Sequence, residues 1–242
     1  PAANVIWFDQ PAAHFTESSP IANGRLAAMV FGGATEERIV LNEASLWSGS
    51  AMVSPRPADV HRELPAIREA LLAGRVVEAE RLLEERFLTK PNRAVPVVVP
   101  PNHAPGTGSA TQFGCYQVLG NLWLSFDLPE RTQIRSYRRE LDLRNAVVTT
   151  RFESGGVTYT REALASAPDD VIVLRLTADK PGMISFRARL DRPERFTTVA
   201  EGMTGLVMTG QLHDGLVGQG VRYAARVQAA TRGGFTFTKD ST

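Results

Sequence analysis

Cysteine and long apolar runs are scarce in this sequence of 242 residues. The single cysteine, Cys115, cannot form a disulfide within the chain. No run of eighteen apolar residues occurs, so we expect no membrane-spanning helix. The 27 basic and 26 acidic residues leave a net charge of +1, which provides little attraction for nucleic acid or an anionic membrane. We therefore expect neither nucleic acid nor a membrane among the partners of this chain.

The motifs of common catalytic and cofactor sites are also missing. Cys115 and the histidines, which stand at positions 14, 61, 103 and 213, lack the spacing that metal ligands require. There is no H-E-x-x-H, no P-loop and no G-x-S-x-G motif. The glycine-rich stretch at 215–220 does not open a helix after a parallel strand, so it gives weak support for nucleotide binding. The sequence predicts no catalytic residue, no cofactor and no metal site within this chain.

Alternation of apolar and polar residues is the commonest pattern that is present. It occurs in several segments separated by turns, at 122–126, 148–152, 157–161, 172–176 and 184–190. Gly155-Gly156 suits a tight hairpin turn. We expect the segments on either side of Lys180-Pro181-Gly182 to be partner strands, because that tripeptide is a turn signal. Many strands at this spacing predict a mainly all-β fold, a large antiparallel β-sandwich.

The segment at about 63–88 changes to the helical period and predicts two short inserted helices. Pro65 lies in the first turn of the first helix, and Gly74 stands where that helix would end. The two predicted apolar faces are Leu64, Ile67, Leu71 and Leu72, and then Ala79, Leu82, Leu83 and Phe87. We expect both helices to pack on the sandwich. The next segment, 89–114, is rich in proline and glycine, and a loop of this length is either functional or disordered.

A polar and aromatic cluster follows the strand predicted at 37–41. It consists of Asn42, Glu43 and Trp47. One interpretation is structural, with Trp47 filling a gap in the core and Asn42 or Glu43 capping a turn. The other is functional and places the cluster at a domain interface or a sugar site. The residues themselves leave both interpretations open.

Several motifs occur in a specific order along the chain. They are Trp7, Pro11-Ala12, 20–26 (PIANGRL), 29–33 (MVFGG), 41–43 (LNE), 46–49 (LWSG), 116–122 (YQVLGNL), 137–143 (YRRELDL), 161–162 (RE), 165–166 (AS), 168–171 (PDDV) and 175–176 (RL). In combination they resemble the N-terminal domain of glycoside hydrolase family 95, the α-L-fucosidase and α-L-galactosidase family. The resemblance covers most of the chain, from Trp7 to beyond Pro181.

The resemblance implies that residues 1–242 form one N-terminal β domain, of the super-sandwich type, in a longer enzyme. In that family a separate (α/α)6 barrel carries catalysis, with a Glu as general acid and an Asn-assisted water as nucleophile, and inverts the configuration of the sugar. This barrel is absent from the chain, so no residue here inherits a catalytic role. The implied partners are the barrel and a fucosylated glycan. The implied location is periplasmic or extracellular.

The chain departs from the family pattern at several positions. Ala44-Ser45 stands where Asp-Thr is common, His14 where an aromatic residue is usual, and Ala27 where glycine is usual. The segment 89–114 has no counterpart in the pattern. These departures leave the identity of the sugar open and do not affect the domain family.

The resemblance predicts a non-catalytic domain that supports the barrel in removing α-linked L-fucose or a related sugar. The alternative is a free-standing carbohydrate-binding β-sandwich, for which Trp123 is the outward-facing aromatic candidate. We also predict that Asn42, Glu43 and Trp47, with part of the loop at 89–114, lie at or near the surface that meets the barrel. Loop rims of rigid sandwiches are common places for sites and interfaces.

Overall fold

The computed structural model describes residues 4–49, 59–87, 114–129, 133–214 and 219–238. Its strands are β1 (Val5–Phe8), β2 (Ser19–Ala22), β3 (Leu26–Val30), β4 (Glu36–Glu43), β5 (Gly120–Phe126), β6 (Arg135–Asp142), β7 (Val147–Ser154), β8 (Val157–Ser166), β9 (Val171–Ala178), β10 (Phe186–Asp191), β11 (Phe196–Glu201), β12 (Gly205–Gln211) and β13 (Arg222–Gln228). Its helices are α1 (Leu64–Leu72) and α2 (Val76–Arg86). Short 3-10 turns occur at Phe15–Glu17 and Val60–Glu63.

The described strands form three antiparallel sheets. The first sheet has the order β1-β6-β7-β8-β9, the second β10-β5-β4-β3-β2, and the third β11-β12-β13. The first two sheets face each other, and Phe152 of one and Leu124 of the other belong to the same buried core. Met208 of the third sheet joins that core as well. The prediction of a mainly all-β antiparallel sandwich is confirmed.

Local patterns predicted several strands correctly. In β5, Leu122, Leu124 and Phe126 are buried, whereas Trp123 between them is on the opposite face and half-buried. The β7–β8 hairpin turns at Gly155-Gly156, whose φ angles of 56° and 69° lie in the left-handed region that glycine tolerates. Alternation and turn chemistry were sufficient here because both are encoded by neighbouring residues.

The predicted pairing of the segments at 172–176 and 184–190 is wrong. The second segment forms β10, which pairs with β5 of the second sheet, so that Ala188 stands opposite Leu124. The first segment forms β9 and pairs with β8 in the first sheet. The turn between β9 and β10 therefore carries the chain from one sheet to the other. Both arrangements satisfy the same alternation of apolar residues, so the local pattern does not distinguish them.

The two predicted helices exist, but they pack on each other and not on the core of the sandwich. Their buried residues, Ile67, Ala70 and Ala79, form a small cluster of their own, completed by Leu82, Leu83 and Phe87. Leu71 and Leu72, which were predicted to be on the apolar face, are 49% and 91% exposed. No described strand covers the side of α1 that carries them. The loop predicted at 89–114 lies outside the described residues except for Gly114.

A buried polar network lies between the first and second sheets. Glu37 of β4 is only 3% exposed and accepts a hydrogen bond of 2.8 Å from the backbone N–H of Gly32. Arg161 of β8 donates to the carbonyl oxygens of Gly33 and Ala34, the latter at 2.6 Å. Its guanidinium also lies 3.5 Å from the ring centroid of Phe126. The β3–β4 hairpin of the second sheet is thereby attached to β8 of the first.

A second arginine completes this network from β6. Arg139 is 1% exposed and donates to the carbonyl oxygens of Val30 and Phe31, each at 3.2 Å. Gly32 has a φ of 75°, and a Cβ there would lie 2.5 Å from the hydroxyl of Tyr137 and 2.6 Å from Arg139. The hairpin can approach the first sheet this closely because residue 32 has no side chain.

Burial changes the protonation equilibria of the network. Desolvation raises the pKa of Glu37 from 4.5 to about 7, although Arg161 and the backbone N–H groups of the hairpin oppose the shift. Desolvation also lowers the pKa of Arg161 to about 10. Glu37 is therefore a buried group whose charge changes between mildly acidic and neutral pH.

The raised pKa of Glu37 predicts that this residue makes stability depend on pH. The folded state holds the proton more tightly than the unfolded state between pH 4.5 and 7. The contribution of Glu37 to the free energy of unfolding is therefore most favourable below pH 4.5. It falls by on the order of 3 kcal/mol as the pH rises to about 7. Glu37→Gln should remove this component, because glutamine keeps the shape and the acceptor oxygen but does not titrate.

Denaturant unfolding at a series of pH values between 4 and 8 measures this component as the difference between the parent chain and Glu37→Gln. Glu36→Gln is the matched control, since Glu36 precedes Glu37 on the same strand and is exposed. The control should keep the pH dependence of the parent. Parallel stability curves for the parent and Glu37→Gln would contradict the prediction.

Candidate functional site

Several loops meet at one end of the sandwich and bring together polar and aromatic side chains. β4 ends there, and the β2–β3 and β8–β9 turns lie beside it, as the contacts below show. We use the name rim for the side chains that these segments and Tyr116 contribute: Asn23, Arg25, Asn42, Glu43, Trp47, Tyr116 and Asp170. The residues predicted from the sequence, Asn42, Glu43 and Trp47, are all members of the rim.

Asn23 holds two of these turns together. Its side-chain oxygen accepts the backbone N–H groups of Arg25 at 3.0 Å and Leu26 at 2.7 Å, which shapes the β2–β3 turn. Its amide nitrogen donates to the carbonyl oxygen of Ser166 at 2.9 Å and to a carboxylate oxygen of Asp170 at 3.2 Å. One side chain thus joins the β2–β3 turn to the β8–β9 turn, which is more than 140 residues away in sequence.

Arg25 connects the same two turns to the end of β4. Its guanidinium pairs with Glu43 at 3.1 Å and also with Asp170. Glu43 in addition accepts bonds from the hydroxyl and the backbone N–H of Ser45, at 2.6 and 2.9 Å. These hydrogen bonds from Ser45, together with Arg25, lower the pKa of Glu43. The carboxylate is therefore ionised at neutral pH, and it shares the positive charge of Arg25 with Asp170.

Trp47 and Tyr116 form the aromatic part of the rim. They are joined by an isolated β-bridge, and their ring centroids lie 5.8 Å apart at an angle of 70°. The indole N–H of Trp47 donates to the carbonyl oxygen of Ala44 at 3.2 Å, and the Tyr116 hydroxyl donates to Asn42 at 3.5 Å. Trp47 is nevertheless 49% exposed and Tyr116 is 45% exposed. The pair is held in place by the domain and still presents apolar surface to the outside.

The structure adds four residues that the sequence analysis did not select, namely Asn23, Arg25, Tyr116 and Asp170. Arg25, Asp170 and Tyr116 each belong to a motif of the sequence, but no local signal places them beside Glu43 or Trp47. Arg25 and Asp170 are 145 positions apart and meet only because the two sheets face each other. Whether the rim faces another part of a longer protein stays a prediction.

Trp123, the outward aromatic residue on β5, is not a free stacking surface. Arg38 of β4 and Arg189 of β10 flank its ring at 5.3 and 5.5 Å from the centroid. Its indole N–H donates to Asp191 at 3.1 Å. A sugar would have to displace at least one of these groups to reach the ring. Trp123 therefore gives little support to a carbohydrate-binding face at this position.

The described part of the chain contains no cluster of three or more His, Cys, Asp and Glu side chains suited to hold a metal ion. None of its helices is both long and apolar enough to cross a membrane.

Comparison with known proteins relates most of this chain to glycosidases. The family model described as glycosyl hydrolase family 65, N-terminal domain, matches residues 6–242. The chain is 36% identical over 193 residues to α-L-fucosidase 2 of Arabidopsis thaliana, covering 77% of this chain and 20% of the relative. It is 33% identical over 187 residues to a probable α-fucosidase A of Aspergillus niger, covering 74% of this chain and 20% of the relative. The chain thus spans about a fifth of the length of these relatives.

Asn23→Ala should destabilise the chain, because it removes two hydrogen bonds that shape the β2–β3 turn and two that join it to the β8–β9 turn. We expect a loss of about 1–3 kcal/mol, since partly buried backbone groups are left without partners. Asn145→Ala is the control, because its side chain makes an exposed bond to Asp142 three residues away. Denaturant unfolding should show a clearly smaller loss for this variant. Equal losses for both variants would show that the long-range bonds of Asn23 contribute nothing.

Proposed function

Because the chain belongs to the family of N-terminal domains of glycosyl hydrolase family 65, we propose that it is the non-catalytic N-terminal domain of a longer glycosidase. The proposed domain comprises residues 1–242, with the two helices as an insertion. Its proposed role is to support a separate catalytic domain. The short coverage of the relatives supports this role, since about four fifths of each relative lies outside the match.

The proposed reaction of the longer protein is hydrolysis of α-linked L-fucose or a related sugar from a fucosylated glycan. Two relatives of this chain, from Arabidopsis thaliana and Aspergillus niger, are named as fucosidases. The ordered motifs of the sequence resemble an α-L-fucosidase family independently of those names. The proposed partner within the longer protein is an (α/α)6 barrel that carries the catalytic residues and inverts the sugar.

The chemistry of the described carboxyl groups supports a non-catalytic role. Glycoside hydrolysis generally needs a carboxylic acid with a raised pKa on one side of the scissile bond and a second group on the other. Glu37 has a raised pKa of about 7, but it is enclosed between two sheets where no glycan reaches it. Glu43 is near the surface, but its pKa is lowered and it is ion-paired with Arg25. Neither carboxyl suits a general acid.

The rim is the proposed surface that meets the catalytic domain. Its loops are held rigid by Asn23 and Arg25, and rigid loop ends of sandwiches are where sites and interfaces are built. The exposed pair of Trp47 and Tyr116 has the composition of an interface anchor, because aromatic residues are enriched in the cores of interfaces. The ion pairs of Arg25 with Glu43 and Asp170 lower the cost of covering these charged groups.

A free-standing carbohydrate-binding module is the second candidate. The exposed rings of Trp47 and Tyr116 favour it, since sugars stack on aromatic faces. The flanked ring of Trp123 does not favour it. Saturable binding of a fucosylated oligosaccharide to this chain alone, followed by Trp fluorescence, would support the module.

An assay with an aryl α-L-fucoside tests whether catalysis requires the longer protein. The longer protein should release the aryl group, whereas this chain alone should not, because Glu37, whose pKa is raised, is buried and Glu43, which is near the surface, has a lowered pKa. The control is the longer protein without its barrel glutamate, which should also be inactive. Hydrolysis by this chain alone at a rate near that of the longer protein would overturn the proposal.

Trp47→Ala tests the role of the rim. In this chain alone the ring is half exposed, so its loss should change unfolding stability little. In the longer protein the same substitution should weaken attachment of the domain by about 2 kcal/mol or more, as for an aromatic interface anchor, and reduce kcat/KM. Trp7→Ala is the control, because Trp7 is 56% exposed and lies on β1, outside the rim.

Thermal unfolding of Trp47→Ala and Trp7→Ala, each in the isolated chain and in the longer protein, measures the difference in stability. Turnover is compared for the two variants of the longer protein. The role of the rim predicts a larger effect of Trp47→Ala in the longer protein than in the isolated chain. If Trp47→Ala and Glu43→Ala both leave the stability and turnover of the longer protein unchanged, the rim is not the interface.

A further inference from the structure

A groove of about 830 Å³ crosses the three strands of the third sheet. It is lined by Arg195, Phe196, Thr197, Thr209, Gly210, Gln211, Arg222, Tyr223 and Ala224. A volume of this size is within the range of small-molecule sites, which is roughly 300–1,000 Å³. None of the lining residues belongs to the rim, so the groove is a separate feature of the surface.

The strand register arranges the lining side chains in two rows. Thr197, Thr209 and Ala224 are directly opposite one another on the three strands and are exposed to solvent. Gln211 is opposite Arg222 in the next row, and Arg195 immediately precedes β11. Small side chains therefore form the floor of the groove. Arg195 lies at one wall and Arg222 at the other.

One wall of the groove is fixed from the opposite face of the sheet. Arg195 has a φ of 54°, a left-handed conformation that costs free energy for a residue with a side chain. The hydroxyl of Tyr223 donates to the carbonyl oxygen of Arg195 at 2.5 Å and holds this conformation. A Cβ at Gly210 would lie 2.0 Å from that oxygen and 2.1 Å from the Tyr223 hydroxyl, so the bond requires glycine there.

The charged residues that line the groove are all positive. Two guanidinium groups line it, and no carboxylate is among its lining residues. The side chain of Arg222 has no hydrogen bond or ion pair with any described residue. Arg226, four residues further along β13 and on the same face, is instead paired with Glu201 at 2.6 Å. The charge of Arg222 is therefore open to a ligand, whereas the charge of Arg226 is already paired with Glu201.

The neutral lining groups suit a polyhydroxylated ligand. The Thr197 and Thr209 hydroxyls can both donate and accept, and the amide nitrogen of Gln211 already donates to Gly220 at 3.0 Å, which leaves its oxygen as an acceptor. An arginine fork is the preferred partner of a carboxylate. We propose that this groove binds a saccharide that carries a carboxylate, such as a hexuronate unit, with the carboxylate at Arg222.

This site goes beyond the proposed function, because it recognises an acidic sugar at a surface other than the rim. Its test uses a matched pair of ligands, methyl β-D-glucuronide and methyl β-D-glucoside, which differ only in the carboxylate at C6. Titration of the chain, followed by ligand-observed saturation-transfer NMR, should show binding of the glucuronide that is about tenfold tighter than that of the glucoside. Raising the salt concentration should weaken the binding of the glucuronide, because exposed charges are screened.

Arg222→Gln should weaken glucuronide binding about tenfold, since it removes the proposed partner of the carboxylate. Arg226→Gln is the matched control and should bind as the parent does. Both arginines are on the exposed face of an outer strand, so circular dichroism and unfolding should show that both variants fold.

Three results would overturn the proposal. The first is equal affinity for the glucuronide and the glucoside. The second is an equal loss of binding in Arg222→Gln and Arg226→Gln. The third is displacement of the glucuronide by acetate at equal ionic strength and equal concentration, which would reduce the groove to an anion site. None of these results bears on the fucoside assay, so the two proposals fail separately.

Discussion

The buried polar network around Glu37 is the constraint on which the arrangement of the sandwich depends. Two arginines from the first sheet, Arg139 and Arg161, donate to carbonyl oxygens of the β3–β4 hairpin in the second. Loss of the guanidiniums would remove these bonds from the carbonyls of the hairpin, which costs free energy, although the Phe31 carbonyl also accepts the backbone N–H of Ala12. Glu37 accepts an N–H of the same hairpin. The network therefore specifies how the sheets face each other, whereas apolar packing alone is less directional.

The rim depends on this network through the strands that connect the two. β4 runs from the hairpin at Glu36 to the rim at Glu43, and β8 continues from Arg161, near its middle, to its end at Ser166, which Asn23 contacts. Since Arg161 attaches the middle of β8 to the hairpin, the two strands are already aligned before they reach the rim. The bonds of Asn23 and Arg25 then hold the strand ends at the rim. A rigid rim is a consequence of two strands that are attached both at the hairpin and at the rim.

The two candidate surfaces differ in how their charges are balanced. In the rim, Arg25 is paired with both Glu43 and Asp170, so the exposed apolar rings are accompanied by little net charge. This combination suits a protein surface that is covered by another domain. In the groove of the third sheet, Arg222 has no counter-ion among the described residues, and the floor consists of small polar and apolar side chains. That combination suits an anionic ligand with many hydroxyl groups.

The sequence by itself determined the class of the fold, several strands and the two helices, because these depend on periodicity and turn residues within short segments. It also identified Asn42, Glu43 and Trp47 as a group, since they are neighbours in the chain. Only the tertiary structure decided that β10 pairs with β5, and that α1 and α2 pack on each other. Only the tertiary structure placed Arg25 beside Asp170 and Tyr116 beside Trp47. The reason is physical: local patterns encode which face of a segment is buried, whereas partners distant in the chain are selected by the packing of whole sheets.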